Sequence, residues 1–88
     1  MIVGIVGLGL IGGSFAKAYH EDGHTVFAYD IDRSVLEFAQ ISGAVNEELT
    51  EDNLAQCDLI LITVYPLAAV DYLKKAAPFI GKNPVVID

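Results

Sequence analysis

The chain alternates between two hydrophobic patterns. Continuous apolar runs at residues 2–6, 25–29 and 58–64 are rich in β-branched and aliphatic side chains, which is typical of strands buried on both faces of a sheet. Between these runs, apolar residues recur at helical spacing over residues 10–22 and 32–43. Alternating strands and helices with short connections predict a parallel sheet with right-handed crossovers and helices on both faces.

Capping residues predict the ends of the first two helices. Gly23 can end the first helix, because glycine readily adopts the left-handed conformation that closes many helices. Asp32 is a good N-cap for the second helix, whereas Ser34 and Glu37 offer a competing capping box one turn later. The second helix should continue until Gly43. The side chains of the first helix that we expect to face the sheet are Ile11, Phe15, Ala18 and Tyr19.

The second half of the chain adds shorter elements. Residues 44–46 predict a short third strand, and Thr50 is a candidate cap for a brief helix over residues 51–56. Pro66 can open a further helix, since proline is favoured at the first helical position. The expected inner face of that helix consists of Val70, Leu73 and Ala77. We therefore expect one α/β domain over residues 1–88, a doubly wound parallel sheet in three layers with about five strands, the last of them cut by the end of the sequence.

Composition narrows the class of protein. The 88 residues can form only one small domain, and an apolar fraction of 53% excludes disorder. The formal net charge is −7, and the five lysines and arginines are scattered, so no basic stripe is available for nucleic acid. An acidic domain that binds an anionic ligand must therefore use local backbone N–H groups.

Several other kinds of chemistry find no support in the sequence. Cys57 is the single cysteine, and its place before an apolar run predicts an inert, partly buried thiol. The segment before Lys17 contains several glycines and no basic residue, unlike a signal peptide or a membrane span. No metal-spaced His and Cys cluster is visible, and Ser14 should bond within its helix. We expect a cytoplasmic protein with no membrane or nucleic-acid partner, no metal and no catalytic residue within these 88 residues.

A glycine-rich turn follows the first predicted strand. Residues 7–12 read Gly-Leu-Gly-Leu-Ile-Gly, a G-x-G-x-x-G run between a predicted strand and a predicted helix. We expect Gly7 to allow the tight turn, Gly9 to let the backbone approach a pyrophosphate, and Gly12 to let the helix pack closely on the sheet. The N–H groups near Leu10 and Ile11 would be free donors at the positive end of the helix dipole. The run in this context predicts a dinucleotide-binding sheet of the Rossmann type.

An acidic residue ends the second predicted strand. Asp30 lies 18 residues after Gly12, close to the spacing of about 20 expected for an acid that binds the adenosine ribose hydroxyls. Its charge would repel a 2′-phosphate, so we expect NAD to be preferred over NADP. Arg33 leaves alternatives open, because it could pack over the adenine, meet a 2′-phosphate or remain solvated.

The third candidate region follows the strongest predicted strand. Val64, Tyr65 and Pro66 lie where this strand ends, and ligands of doubly wound sheets sit beyond the carboxyl ends of the strands at the switch point. We therefore expect these residues beside the cofactor, opposite the glycine turn. Tyr65 could pack on the cofactor or point to solvent.

With those residues placed, the chain resembles a known family. The segment at residues 6–14, which ends in Gly-Gly-Ser, is similar to the opening of the prephenate dehydrogenase family, which includes the arogenate dehydrogenases. Ile11 stands where the related β-hydroxyacid dehydrogenases more often have methionine. The resemblance extends through Asp30, the strand at 58–64 with the proline that follows, and residues 85–88. Tyr65 departs from the small or aliphatic residue expected there.

The resemblance implies an enzyme of which this sequence is the cofactor-binding part. Members of the family oxidatively decarboxylate prephenate to 4-hydroxyphenylpyruvate in tyrosine biosynthesis and pass hydride to NAD or NADP. Their catalytic histidine, substrate-binding arginine and helical dimerisation domain follow the strand at which this sequence ends, which implies a homodimer and an inactive fragment. Two alternatives stay open: a stand-alone dinucleotide-binding module such as a redox sensor, and another reductase of a small hydroxy acid or an imine.

Overall fold

The computed structural model describes residues 1–64, 66–81 and 85–87, which form five strands, three α-helices and two short 3₁₀ helices. The strands are β1 (Ile2–Val6), β2 (Thr25–Tyr29), β3 (Glu47–Glu48), β4 (Leu59–Ile62) and β5 (Val85–Ile87). The helices are α1 (Leu10–Glu21), α2 (Arg33–Ile41) and α3 (Pro66–Ala76), and the 3₁₀ helices are Leu54–Gln56 and Ala77–Phe79.

The strands form one parallel sheet in the order β3-β2-β1-β4-β5. In the central strand, Val6 is in register with Tyr29 of β2 on one side and with Ile62 of β4 on the other. The chain builds outward from β1 through β2 and β3, then returns to the opposite side of β1. The switch point therefore lies between β1 and β4, and the loops after these two strands open at the same edge of the sheet. The predicted doubly wound α/β fold is confirmed.

Two hydrophobic clusters cover the two faces of the sheet. Because successive strand residues point to opposite faces, Val3 and Ile5 belong to one cluster and Val6 belongs to the other. The first cluster also takes Ala16 from α1 and Leu36 from α2. The second is completed from the other side by Leu49, Leu54, Ala69 and Ala76. Burial on both faces explains why the central strands have continuous apolar runs.

The inner face of α1 differs from the predicted one. Its buried residues are Gly12 and Ala16, with Tyr19 packed partly against the core. A β-carbon at position 12 would overlap the carbonyl oxygen of Gly7, so the helix approaches the sheet through its smallest residues and turns its larger ones outward. The side chains predicted to face the sheet that are instead exposed are Ile11, Phe15 and Ala18.

The third strand is displaced from its predicted position. It comprises Glu47–Glu48 rather than residues 44–46, because Asn46 precedes the ladder with two bonds to one residue of β2. The backbone N–H of Asn46 donates to the Val26 carbonyl, and its side-chain oxygen accepts from the Val26 N–H, both at 2.8 Å. The strong strand predicted over residues 58–64 is also shorter, since β4 ends at Ile62.

The helix predicted over residues 51–56 is a turn followed by the 3₁₀ helix Leu54–Gln56. The side chain of Asn53 explains the difference. Its Oδ1 accepts from the backbone N–H of Thr50 at 2.8 Å, and its Nδ2 donates to the carbonyl of Glu48 at 2.9 Å. Local side-chain bonds of this kind compete with helix formation, so Thr50 does not act as the predicted cap.

The starts of the other two helices match the prediction. Asp32 is the N-cap of α2, and its side chain accepts from the Ser34 N–H at 3.0 Å, so Asp32 prevails over the capping box of Ser34 and Glu37. Helix α3 begins at Pro66, as predicted.

The inner face of α3 differs in part from the predicted one. It carries Ala69, Leu73 and Ala76, of which only Leu73 was predicted. The predicted Val70 is 50% exposed, and Ala77 begins the 3₁₀ helix that follows.

Candidate dinucleotide-binding site

The turn between β1 and α1 depends on two glycines and one threonine. Gly7 has a φ of +95°, which an L-residue rarely adopts, and its N–H donates to the Tyr29 carbonyl at 2.8 Å. A β-carbon on Gly12 would overlap the Gly7 carbonyl oxygen and stand 2.5 Å from Oγ1 of Thr63. The Thr63 hydroxyl lies 2.7 Å from the Gly7 carbonyl and donates to it. These contacts fix the start of α1 against the ends of β1 and β4.

Gly9 lies on the open side of the same turn. It is the N-cap of α1, with φ −65° and no side-chain capping bond, and a β-carbon built on it would find no atom within 4 Å. The N–H groups of Leu10, Ile11 and Gly12 donate to no acceptor among the residues the structure describes. Free amides at the positive end of a helix dipole, approached across a residue without a side chain, form a site for an anion such as a pyrophosphate.

Asp30 ties this turn to the end of β2. One carboxylate oxygen accepts from the Leu8 N–H and the other from the Asp32 N–H, each at 2.8 Å. An ionised carboxylate offers about four lone-pair sites, so each oxygen retains capacity for a further donor such as a ribose hydroxyl. The side chain is half-buried, and these two bonds hold it at the carboxyl edge of the sheet.

A cleft of about 560 Å³ extends from this edge between β2, the segment after β3 and α3. Asp30 lies in its wall together with apolar side chains, among them Ile31 after β2, Val64 after β4 and Ala68 of α3. Tyr72 of α3 also lines the cleft, and burial is the main cause that raises the pKa of its hydroxyl. Three further acids and one base, Glu48, Glu51, Asp71 and Lys75, also line the cleft. The apolar part of the wall beside Asp30 suits a flat heterocycle attached to a sugar.

Arg33 lies beside the cleft and is held by an acidic residue of β3. Its Nη1 is 2.7 Å from Oε2 of Glu48, and Glu48 itself lines the cleft. The hydrogen bond to Glu48, together with the charge of that carboxylate, raises the pKa of the Arg33 guanidinium. The structure thus shows a contact of Arg33 that the sequence did not suggest, an ion pair with Glu48 at the carboxyl edge of the sheet.

Apart from Arg33, the predicted site residues divide into three groups. Gly7, Asp30 and Val64 line the cleft. The adjoining start of α1 provides Gly9, Leu10, Ile11 and Gly12, with Leu10 91% exposed. Tyr65 lies outside the described residues, as does Asp88 at the end of the resemblance, and Pro66 is described only as the first residue of α3.

Sequence reasoning missed several residues of the site. Ile31, Glu48 and Tyr72 line the cleft, and Thr63 holds the glycine turn. The one local signal was the position of Ile31, an apolar residue directly after the acid. The contact of Thr63 with Gly7 joins residues 56 positions apart, and no local pattern indicates it.

Two other residues considered from the sequence are structural. Cys57 is buried, and desolvation raises the pKa of its thiol to about 11, as expected of an inert cysteine. The hydroxyl of Ser14 donates to the Leu10 carbonyl at 2.8 Å.

Across residues 1–64, 66–81 and 85–87, no three His, Cys, Asp or Glu side chains lie together as metal ligands would. No helix in that part of the chain has the length and apolarity needed to cross a bilayer.

A parallel sheet with a glycine turn, free helix amides and an acid after the second strand defines a dinucleotide-binding domain of the Rossmann type. The chain belongs to the family of the NAD-binding domain of 6-phosphogluconate dehydrogenase, whose model matches residues 2–88. NAD is therefore the cofactor of this domain. The residues present fit it: the α1 amides would hold the pyrophosphate, Asp30 the ribose, and Ile31 with Val64 the adenine.

Solved structures with the same fold include dehydrogenases and a reductase. Arogenate dehydrogenase from Synechocystis is 28% identical, with a TM-score of 0.90, over 98% of this chain and 31% of its own. Prephenate dehydrogenase from A. aeolicus, solved with hydroxyphenyl propionate and NAD+, is 24% identical, with a TM-score of 0.85, over 98% of this chain and 32% of its own. An imine reductase from Streptomyces aurantiacus is 22% identical, with a TM-score of 0.72, over 90% of this chain and 28% of its own. The resemblance to the cofactor domain of the prephenate and arogenate dehydrogenases is confirmed, and this chain spans about a third of their length.

Proposed function

We propose that this chain is the NAD-binding domain of a prephenate or arogenate dehydrogenase. With prephenate, hydride would pass from the carbinol carbon to the oxidised nicotinamide while the ring carboxylate leaves as CO₂. The electron pair of the broken carbon–carbon bond makes the ring aromatic, and the products are 4-hydroxyphenylpyruvate and NADH. The bound dinucleotide would supply the hydride acceptor, and the protein supplies binding and orientation.

The observation that carries the proposal is the likeness to arogenate dehydrogenase over nearly the whole chain, together with the Gly-Gly-Ser ending of the glycine turn. The likenesses to imine reductase and to a diketoreductase are at 22% and 18% identity and concern the fold. They leave a reductase of another small substrate as the competing function.

In this proposal the residues of the chain bind and orient. The amides at the start of α1 hold the pyrophosphate, and Asp30 binds the ribose and disfavours a 2′-phosphate, so NAD is preferred over NADP. Arg33 is engaged by Glu48 at 2.7 Å, which supports this preference. We assign substrate binding and catalysis to the remainder of a longer enzyme, because this chain spans about a third of the length of the dehydrogenases that it resembles.

We further propose that the longer enzyme is a cytoplasmic homodimer that pairs through a helical domain outside this sequence. The support is the family resemblance for the dimer and the single buried thiol of Cys57 for a reducing compartment.

Substrate screening tests the proposal. The full-length protein encoded by the natural gene is offered prephenate, arogenate and small hydroxy acids with NAD, and NADH formation is followed. An imine is offered with NADH, and NADH consumption is followed. The proposal expects turnover with prephenate or arogenate and, because hydride transfer needs both partners in near-attack geometry, none with the 88-residue chain alone. Turnover confined to hydroxy acids or imines would identify the competing function, and NAD binding without any turnover would identify a sensor module.

A further inference from the structure

The carboxyl edge of the sheet carries an acid–base arrangement that the simple role of Asp30 does not explain. Glu48 is the last residue of β3 and is in register with Ala28 of β2, two residues before Asp30. Arg33 is the first residue of α2, three residues after Asp30. Two acids and one base therefore meet where the ribose of a bound dinucleotide is expected.

The two acids have different partners. Both oxygens of Asp30 accept backbone N–H groups, from Leu8 and Asp32, so Asp30 is fixed by the loops and does not pair with Arg33. Arg33 pairs with Glu48 instead, and its Nη1 lies 2.7 Å from Oε2 of Glu48. The side chain of Arg33 is 59% exposed and that of Glu48 is 32% exposed, so the pair lies at the mouth of the cleft and can be broken or rearranged at little cost.

Among the described residues, Arg33 is the base best positioned to recognise a phosphate on the ribose. An arginine close after the acid of the second strand is the group that accommodates a 2′-phosphate in dinucleotide-binding sheets, and its fork of donors suits phosphate. Lys75 also lines the cleft, but it pairs with Asp71 on α3 at 3.3 Å, on the opposite wall.

We propose that Glu48 is a specificity-determining residue, which holds the Arg33 guanidinium in an ion pair and so keeps it from binding the 2′-phosphate of NADP. Glu48 acts through Arg33, since it neutralises the charge of the guanidinium and engages one of its donors. The inference deepens the proposed preference for NAD, and it assigns that preference to a pair, Asp30 and Glu48, rather than to Asp30 alone.

The test compares the affinities of NAD and NADP for the 88-residue chain by calorimetry. Glu48→Gln keeps the shape of the side chain and releases Arg33. Since an exposed ion pair is weak, we expect NADP to bind about 3- to 10-fold more tightly and NAD to change by less than about twofold. The gain should shrink as salt is raised, because salt screens exposed charges.

Two variants make the result specific. Glu47→Gln removes the neighbouring acid of β3, which is exposed and lies outside the lining of the cleft, without breaking an ion pair found among the described residues. It should leave NADP affinity within about twofold. In the double variant Glu48→Gln with Arg33→Met, the gain should vanish.

The inference is overturned if Glu48→Gln gains no more than Glu47→Gln, or if the gain survives in the double variant. Its failure is distinct from failure of the proposed NAD preference. The preference depends on the ratio of the two affinities in the unaltered chain, whereas the role of Glu48 depends on the change in that ratio.

Discussion

The two ends of the parallel sheet use similar bonds for different purposes. At the carboxyl end, Asp30 accepts the N–H of Leu8 at 2.8 Å. At the amino end, Asp58 accepts the N–H of Ile2, also at 2.8 Å. In each case a carboxylate ties the chain on one side of β1 to a neighbouring segment.

What differs is the state of the surrounding backbone. At the amino end, the carbonyls of Met1 and Ile2 accept bonds from Thr25 and Asp58, and the segments are linked to each other. At the carboxyl end, the first N–H groups of α1 have no acceptor among the described residues, and a cleft of about 560 Å³ opens beside them. Because helices begin at the carboxyl ends of parallel strands, free N–H donors lie at the carboxyl end of the sheet. We call the amino end, where the segments bond to each other, the closed end.

The largest effect should follow from closing the contact between Gly12 and Gly7. Gly12→Ala places a β-carbon on the Gly7 carbonyl, and overpacking costs about 1–3 kcal/mol or more, a large share of the roughly 5–15 kcal/mol that stabilises a native domain. Chemical denaturation measures the loss.

The matched control for this variant is one residue further along. Gly13→Ala adds the same carbon to the same helical turn, but its nearest contact is the Leu8 carbonyl at 3.6 Å. It should hold or raise stability, by about 0.5–1 kcal/mol, because alanine is the better helix former. Equal stability of the two alanine variants would show that α1 is not packed as described.

The two carboxylates provide the next comparison. Asp30→Asn should weaken NAD binding about tenfold, since hydrogen bonds to charged groups contribute about 1.5–3 kcal/mol, and it should reduce the discrimination against NADP. Asp58→Asn removes the equivalent charge at the amino end and should leave the affinity for NAD within about twofold. Calorimetric titration of both variants decides the point, and a similar loss in both would mean that Asp30 is only structural.

A smaller effect is expected at Thr63. Thr63→Val removes the hydroxyl that donates to Gly7 at 2.7 Å and leaves a part-buried carbonyl without that bond, which should cost about 1–2 kcal/mol. Thr63→Ser keeps the hydroxyl and should recover most of the loss. If serine destabilises and valine does not in denaturant melts, the methyl group and not the hydroxyl holds the turn.

Thr63 also shows which parts of the site could be predicted from the sequence. Gly7, Gly12 and Asp30 were found because their roles depend on spacing within one strand–helix–strand unit. Thr63 and Glu48 act across strands that are distant in sequence, and their contacts depend on a register that only the folded sheet defines.

The elements show the same division. The strands of the core were predictable because burial on both faces leaves a continuous apolar run. The inner face of α1 was predicted wrongly because hydrophobic periodicity pointed to Ile11 and Phe15, whereas the close approach at Gly12 turned those side chains outward. A contact between backbone atoms has no hydrophobic signature in the sequence.

The smallest effect concerns the closed end of the sheet. Burial raises the pKa of the Cys57 thiol to about 11, against about 8.5 when unfolded, so the protonated form is favoured by folding. This contribution to stability is complete below about pH 8.5 and is lost as pH rises toward about 11. At pH 8 the native thiol should react with a disulfide reagent at least about 100-fold more slowly than in denaturant. Comparable rates would show that the thiol is accessible.

The central claim, that the open side of the glycine turn binds the pyrophosphate of NAD, is tested most directly by Gly9→Val. The thermal melting of the 88-residue chain and of this variant is measured with and without NAD. At 100 times its Kd, NAD should stabilise the unaltered chain by about 2.7 kcal/mol. The variant should melt near the unaltered chain without cofactor, because no atom lies within 4 Å of the added β-carbon, and should show no shift with NAD. A normal NAD-induced shift in Gly9→Val would contradict the account.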